Sequence, residues 1–133
     1  MYHSIVRSRV RALFDAVNRG DADPVLRLFA RRFEHSFVGD HALGGVRTTL
    51  PATRGWYERL YRLLPDIRFD LRGVHVSGTD GVRTHNSGVH VLHLRWGHAT
   101  KLIICPDTTG LKSTLERLAA AGNVEAEAPP IVG

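Results

Sequence analysis

The chain has 133 residues, a 43% apolar and 23% charged composition, and a formal net charge of +5. These values describe one ordinary globular domain and exclude a disordered or collagen-like chain. No apolar run approaches the ~20 residues that cross a bilayer, so no membrane partner is expected.

The basic residues point away from nucleic acid. Only Lys101 and Lys112 are lysine among 18 basic residues; the others are arginine, spread at helical and strand spacing without a compact run. A nucleic-acid binder concentrates its charge on one stripe, so solvated faces are the simpler reading. Cys105 is the single cysteine and lies in the apolar run Leu102-Ile103-Ile104-Cys105. It excludes an internal disulfide and suits a buried, inert thiol. Met1-Tyr2-His3-Ser4 has no basic stretch leading into an apolar one. The expected location is therefore the cytoplasm.

In chain order, Val6, Val10, Leu13, Phe14 and Val17 form one apolar stripe at i, i+4, i+7, i+8 and i+11, which predicts a first helix stopped by Gly20. Asp23-Pro24 reads as a cap followed by proline at the first helical position, opening a short second helix that ends near Arg32. The glycine-bearing stretch 33–50 predicts one or two short strands, Phe33–Phe37 and Val46–Leu50. A third helix is expected from about Thr53, with rows Trp56, Leu60, Leu63 and Tyr57, Tyr61, Leu64, ending at Pro65.

The period then changes to two. Ile67, Phe69 and Leu71 alternate with Arg68, Asp70 and Arg72, predicting a strand that continues to Val76 before the turn Gly78-Thr79-Asp80-Gly81. Strands Val89–Trp96 and Ala99–Cys105 follow, joined at Gly97-His98, and a last helix spans Thr108–Ala120. The expected organisation is a single domain over residues 1–122 and a tail over 123–133, either mobile or docked on a partner. Helices first and antiparallel strands after them predict an α+β fold, with helices covering one face of a curved antiparallel sheet.

Several motifs resemble a known family in their order and spacing. Leu28-Phe29-Ala30 with Phe33-Glu34-His35, Gly55-Trp56-Tyr57, Leu63-Leu64-Pro65-Asp66-Ile67-Arg68, Gly97, and Asp107-Thr108-Thr109-Gly110-Leu111 together resemble the SnoaL-like branch of the nuclear transport factor 2-like superfamily. The resemblance implies a cone: three N-terminal helices on a curved sheet, then a C-terminal helix, around a pocket for a small apolar organic ligand, with no cofactor. It also implies one strand more than the sequence offers, so the sheet is expected to lack a strand near residues 78–84. That would leave an unpaired edge for a homodimer formed through the sheet.

The resemblance places Asp107 where such cyclases carry a general base and His35 where they carry a histidine of the first strand. Each has a plainer reading: Asp107 precedes Thr108 as a helix cap, and His35 fits a strand histidine bonded to a backbone carbonyl. Phe14, Phe37, Trp56, Tyr57, Tyr61 and His90 are candidate ligand-binding walls, although aromatics at such spacing also build plain core. Asp40 and His41 are a candidate pair at the pocket mouth, or a solvated loop pair. No metal site is expected, because His90 and His93 have opposite strand parity and no compact ligand spacing occurs. Two functional expectations follow. One is a cofactor-independent isomerase or cyclase that abstracts a proton from a polyketide- or terpenoid-like carbonyl compound. The other is a non-catalytic ligand-binding or dimerisation module.

Overall fold

The computed structural model describes residues 2–65, 67, 69, 73–77, 81–85, 89–106 and 108–133. Helix α1 (Tyr2–Asn18) buries Val6, Val10 and Val17, the stripe that its spacing predicts. Helix α2 (Asp23–Leu28) begins one residue before the expected position, with the Asp21 carboxylate accepting the Asp23 N–H at 3.0 Å. It also ends early, because strand β1 (Phe29–Phe37) follows it directly. Phe33, His35 and Phe37 alternate inward along that strand.

Strand β2 (Gly45–Arg47) is shorter than expected because helix α3 (Leu50–Leu63) claims the following residues. Thr49 caps α3, its hydroxyl accepting the Ala52 N–H, and Pro51 lies in the first turn where no donor is lost. The buried residues of α3, Thr53, Trp56, Tyr57, Leu60 and Leu63, form one broad face. Strands β3 (Gly73–Ser77), β4 (Gly81–His85), β5 (Val89–Arg95) and β6 (His98–Cys105) make a meander, followed by helix α4 (Thr108–Ala120).

The six strands form one sheet in the order β2-β1-β6-β5-β4-β3. Three expectations are corrected here. First, the sheet is mixed: β1 runs parallel to β6, while the other pairings are antiparallel. Second, residues 81–85 of the stretch expected to lack a strand form β4. β4 is short, but it pairs over its whole length with β3 on one side and β5 on the other, so the meander keeps its alternating direction. Third, Ile67 and Phe69 precede the strand that was predicted to contain them. The Ile67 N–H turns back to Leu64 O, and the Asn18 side chain takes both the N–H and the carbonyl of Phe69. Local alternation there meets a side chain instead of a neighbouring strand. The rest of that predicted strand, Arg68 and residues 70–72, and the turn at 78–80 lie outside the described residues.

A two-residue turn at Trp96-Gly97, both at positive φ, joins β5 to β6. Thr100 is an extra residue between the pairs His93–Lys101 and Leu94–Ala99, a bulge that brings Ala99, Leu102 and Ile104 all to the inner face. The tail is not loose. A single 3-10 turn (Val124–Glu127) buries Ala126, and the segment beyond it hydrogen-bonds to its own domain through Arg59, Arg47, Thr48 and Thr49. No described helix is long and apolar enough to cross a membrane.

Candidate functional site

The inner sheet face and the helices do not fill the space between them completely. A cavity of about 40 Å³ lies there, walled by Val10, Leu13, Phe14 and Val17 of α1, Val25 of α2, Trp56, Tyr57 and Leu60 of α3, Phe69, and His90, Leu92, Leu102 and Ile104 of the sheet. Strand register explains the sheet contribution. His90 is the cross-strand partner of Ile104, and Leu92 of Leu102, so the four side chains form adjacent inward rows.

The described wall is almost wholly apolar. Trp56 turns its ring to the cavity but donates its N–H to Leu43 O at 2.7 Å. That leaves the His90 imidazole and the Tyr57 phenol as its polar side-chain groups. His90 is 7% exposed, with ring centroids of Phe14 at 5.1 Å and Phe69 at 5.3 Å. Burial lowers its pKa to about 4, so at neutral pH the ring is uncharged and offers one N–H and one lone pair. Burial pushes the Tyr57 phenol well above its ordinary value, which keeps it protonated.

The expected site residues separate in space. Phe14, Trp56, Tyr57 and His90 meet at the cavity. Phe37 and Tyr61 are not in its wall. Phe37 packs at the end of β1 against the rings of Trp56 and His41, and Tyr61 turns away to donate its hydroxyl to Val17 O at 3.0 Å. Asp107 lies outside the described residues. Asp40 and His41 do not reach this cavity; they border a separate cleft of about 530 Å³ with Lys112, Glu116 and the tail prolines.

His35 stands one layer behind the wall. It is 0% exposed, its register partner Leu102 lines the cavity, and its ring meets those of Trp56 and Tyr57 at 4.7 and 5.5 Å. Its bond is not to a backbone carbonyl: Nδ1 accepts from Arg47 Nε at 3.0 Å. Burial first, then the charge on Arg47, lowers its pKa to about 3. Arg47 carries no sequence signal that would single it out. It is fully buried in a short strand beside a glycine pair, and nothing local separates it from the many exposed arginines. Among the described residues, no group of three or more His, Cys, Asp or Glu side chains converges as a metal site.

Comparison with known proteins places this architecture. TerC, solved in co-crystals with polyporic acid, superposes with a TM-score of 0.71 at 18% identity, covering 82% of this chain and 96% of that one. IdmH, a putative polyketide cyclase from Streptomyces antibioticus, gives 0.65 at 15% identity, covering 83% and 97%. A SnoaL-like protein of unknown function from Burkholderia thailandensis gives 0.61 at 22% identity, covering 74% and 91%. These likenesses establish a shared fold. No curated protein matches the chain. The SnoaL-like domain profile matches residues 10–102, which is most of the helical layer and the sheet, and the chain belongs to the SnoaL-like domain family.

Proposed function

We propose that the chain holds a small, largely apolar, carbonyl-bearing organic molecule between α1, α3 and the sheet, with His90 as the group that hydrogen-bonds it. One observation carries this reading: an apolar cavity whose wall includes a deeply buried, neutral imidazole flanked by two aromatic rings. Such a site rewards apolar surface and offers one directed polar contact. A space of about 40 Å³ accommodates a water or two. Ligand sites usually run from about 300 Å³ upward. A bicyclic ligand therefore enters by displacing part of the wall, and the Phe14 and Phe69 rings over His90 are the groups that must yield.

A second reading adds turnover, a cofactor-independent isomerase or cyclase step on a polyketide- or terpenoid-like carbonyl compound. IdmH, named as a putative polyketide cyclase, supports it. Proton abstraction needs a general base, and Asp107, two residues beyond β6 in sequence, is the candidate. His35 then acts as an orienting group.

The test uses α-tetralone, a bicyclic ketone with exchangeable protons beside its carbonyl. Trp56 lines the cavity whereas Trp96 is 89% exposed, so quenching in a Trp96→Phe background reports the cavity alone. Saturable quenching that Leu102→Phe abolishes supports binding; absence of quenching in the folded parent protein rejects it. Solvent-deuterium exchange into bound α-tetralone that Asp107→Asn removes, with affinity kept, supports turnover. Binding without exchange leaves the ligand-binding module.

A further inference from the structure

Arg47 is buried without a carboxylate partner among the described residues. Its guanidinium is spread over neutral acceptors. Nε donates to His35 Nδ1 at 3.0 Å, Nη1 to Gly44 O at 2.9 Å and Ile131 O at 2.8 Å, and Nη2 to Gly45 O at 3.0 Å. The cation also lies over the Trp56 ring, 5.3 Å from its centroid. Burying a charge this way is costly, and an apolar side chain would fill the space more cheaply. Burial lowers its pKa to about 10, which leaves it protonated at neutral pH.

The chemistry of the pair explains what the charge achieves. A guanidinium only donates, so the His35 nitrogen facing it must present a lone pair. The His35 proton is thereby confined to Nε2. That nitrogen is buried and has no partner among the described residues, and its ring abuts Trp56 and Tyr57, both of which wall the cavity.

The third backbone anchor of Arg47 comes from 84 residues away. The segment carrying it is pinned on both sides of Ile131. Pro129 O accepts from Arg59 Nη1 at 2.8 Å, and Gly133 O accepts from the N–H groups of Thr48 and Thr49 at 2.6 and 3.0 Å. Gly45 makes room for it, since a Cβ there would stand 3.1 Å from Pro130 Cβ.

We propose that Arg47 is a positioning residue: anchored in part by the Ile131 carbonyl of the C-terminal segment, it fixes His35 as the Nε2–H imidazole, a neutral donor behind the Trp56–Tyr57 wall. The use of that donor toward a ligand carbonyl rests on the cavity reading above; the tautomer does not.

Long-range proton–nitrogen spectra of the full chain without ligand test it, with His35 assigned by its loss in His35→Gln. The expected pattern is a pyridine-like Nδ1 and a pyrrole-like Nε2. In Arg47→Met the two nitrogen shifts move toward each other or exchange character, and unchanged shifts in a folded Arg47→Met protein overturn the proposal. Should that variant not fold, Pro130→Gly combined with Ile131→Ser frees the segment without touching the core. Faster amide exchange at Thr48 and Thr49, whose N–H groups donate to Gly133 O, confirms its release. With the segment free, the Arg47 Nε–H signal broadens and the His35 shifts move the same way; if both stay as in the parent protein, the segment has no part in holding His35. Failure of α-tetralone to bind would remove the cavity reading and leave this result standing.

Discussion

Asn18 at the end of α1 and Phe69 ahead of β3 are 51 residues apart and share two hydrogen bonds: Asn18 Nδ2 donates to Phe69 O at 2.9 Å, and Phe69 N–H donates to Asn18 Oδ1 at 2.6 Å. One amide thus satisfies both backbone groups of a residue whose ring closes the cavity against Phe14 and His90. The clasp satisfies both backbone groups of a residue that lies outside the described strands.

Asn18→Ala removes both bonds and leaves the Phe69 backbone to find water. Each lost bond is worth about 1 kcal/mol, more where the group stays buried. The expected outcome is a loss of roughly 2 kcal/mol in urea unfolding, with faster amide exchange at Phe69. An unchanged unfolding midpoint would show that the clasp contributes nothing to stability.

Leu102 is 6% exposed, lines the cavity and is the cross-strand neighbour of His35. Leu102→Ala is expected to cost about 2–5 kcal/mol of stability, as truncations of buried leucine do. The same change enlarges a cavity that is now too small for a bicyclic ligand, so α-tetralone is expected to bind more tightly despite the lost stability. Weaker quenching of Trp56 in the folded variant would contradict the cavity reading.

Stability should fall with acid in a defined window. His90 and His35 titrate at about 4 and about 3 in the folded protein, against an ordinary value of 6.5. Both values are depressed, so the unfolded chain binds protons first. Their contribution is intact above pH 6.5 and is lost as pH falls from there toward 4 and then 3. Each histidine weakens the fold by on the order of a few kcal/mol across its window. The check is the urea midpoint measured from pH 7 to pH 4: His90→Gln flattens the slope, and an equal slope in both proteins would refute the assignment.

Gly44→Ala is expected to be severely destabilising. A Cβ at this position would collide with the Gly39 carbonyl oxygen, a backbone atom that cannot swing aside, and Gly44 O also accepts from Arg47. The cost should reach several kcal/mol, at the upper end for a single substitution. Thermal unfolding measures it, with Gly20→Ala as a contrast in which no atom lies within 4 Å of the added carbon and only the backbone conformation is strained.

The residues legible in sequence were those whose position along one element decided their fate. Val10, Phe14 and Val17 on α1, Trp56 and Tyr57 on α3, and His90 with Leu92 on β5 all reach the cavity from the face that their periodicity assigned. Tyr61 shares the α3 face but sits one turn further along, where it meets Val17, and Phe37 points inward from the end of β1, where it meets His41 and Trp56 instead. Periodicity says which side of an element is apolar; it carries no information about which neighbour covers each residue.

By itself the sequence determined the order of the helices and of the strands other than β4, the inward face of most of them, and the family. All of these follow from local spacing and short motifs. Tertiary structure alone decided the parallel pairing of β1 with β6, the completion of the sheet by a five-residue β4, the burial of Arg47 against His35, and the docking of residues 129–133 on Thr48, Thr49 and Arg59. The strand pairings and the docked segment form through backbone carbonyls and N–H groups that every residue carries, and Arg47 differs from the exposed arginines only in what folds around it, so no side-chain pattern announces them.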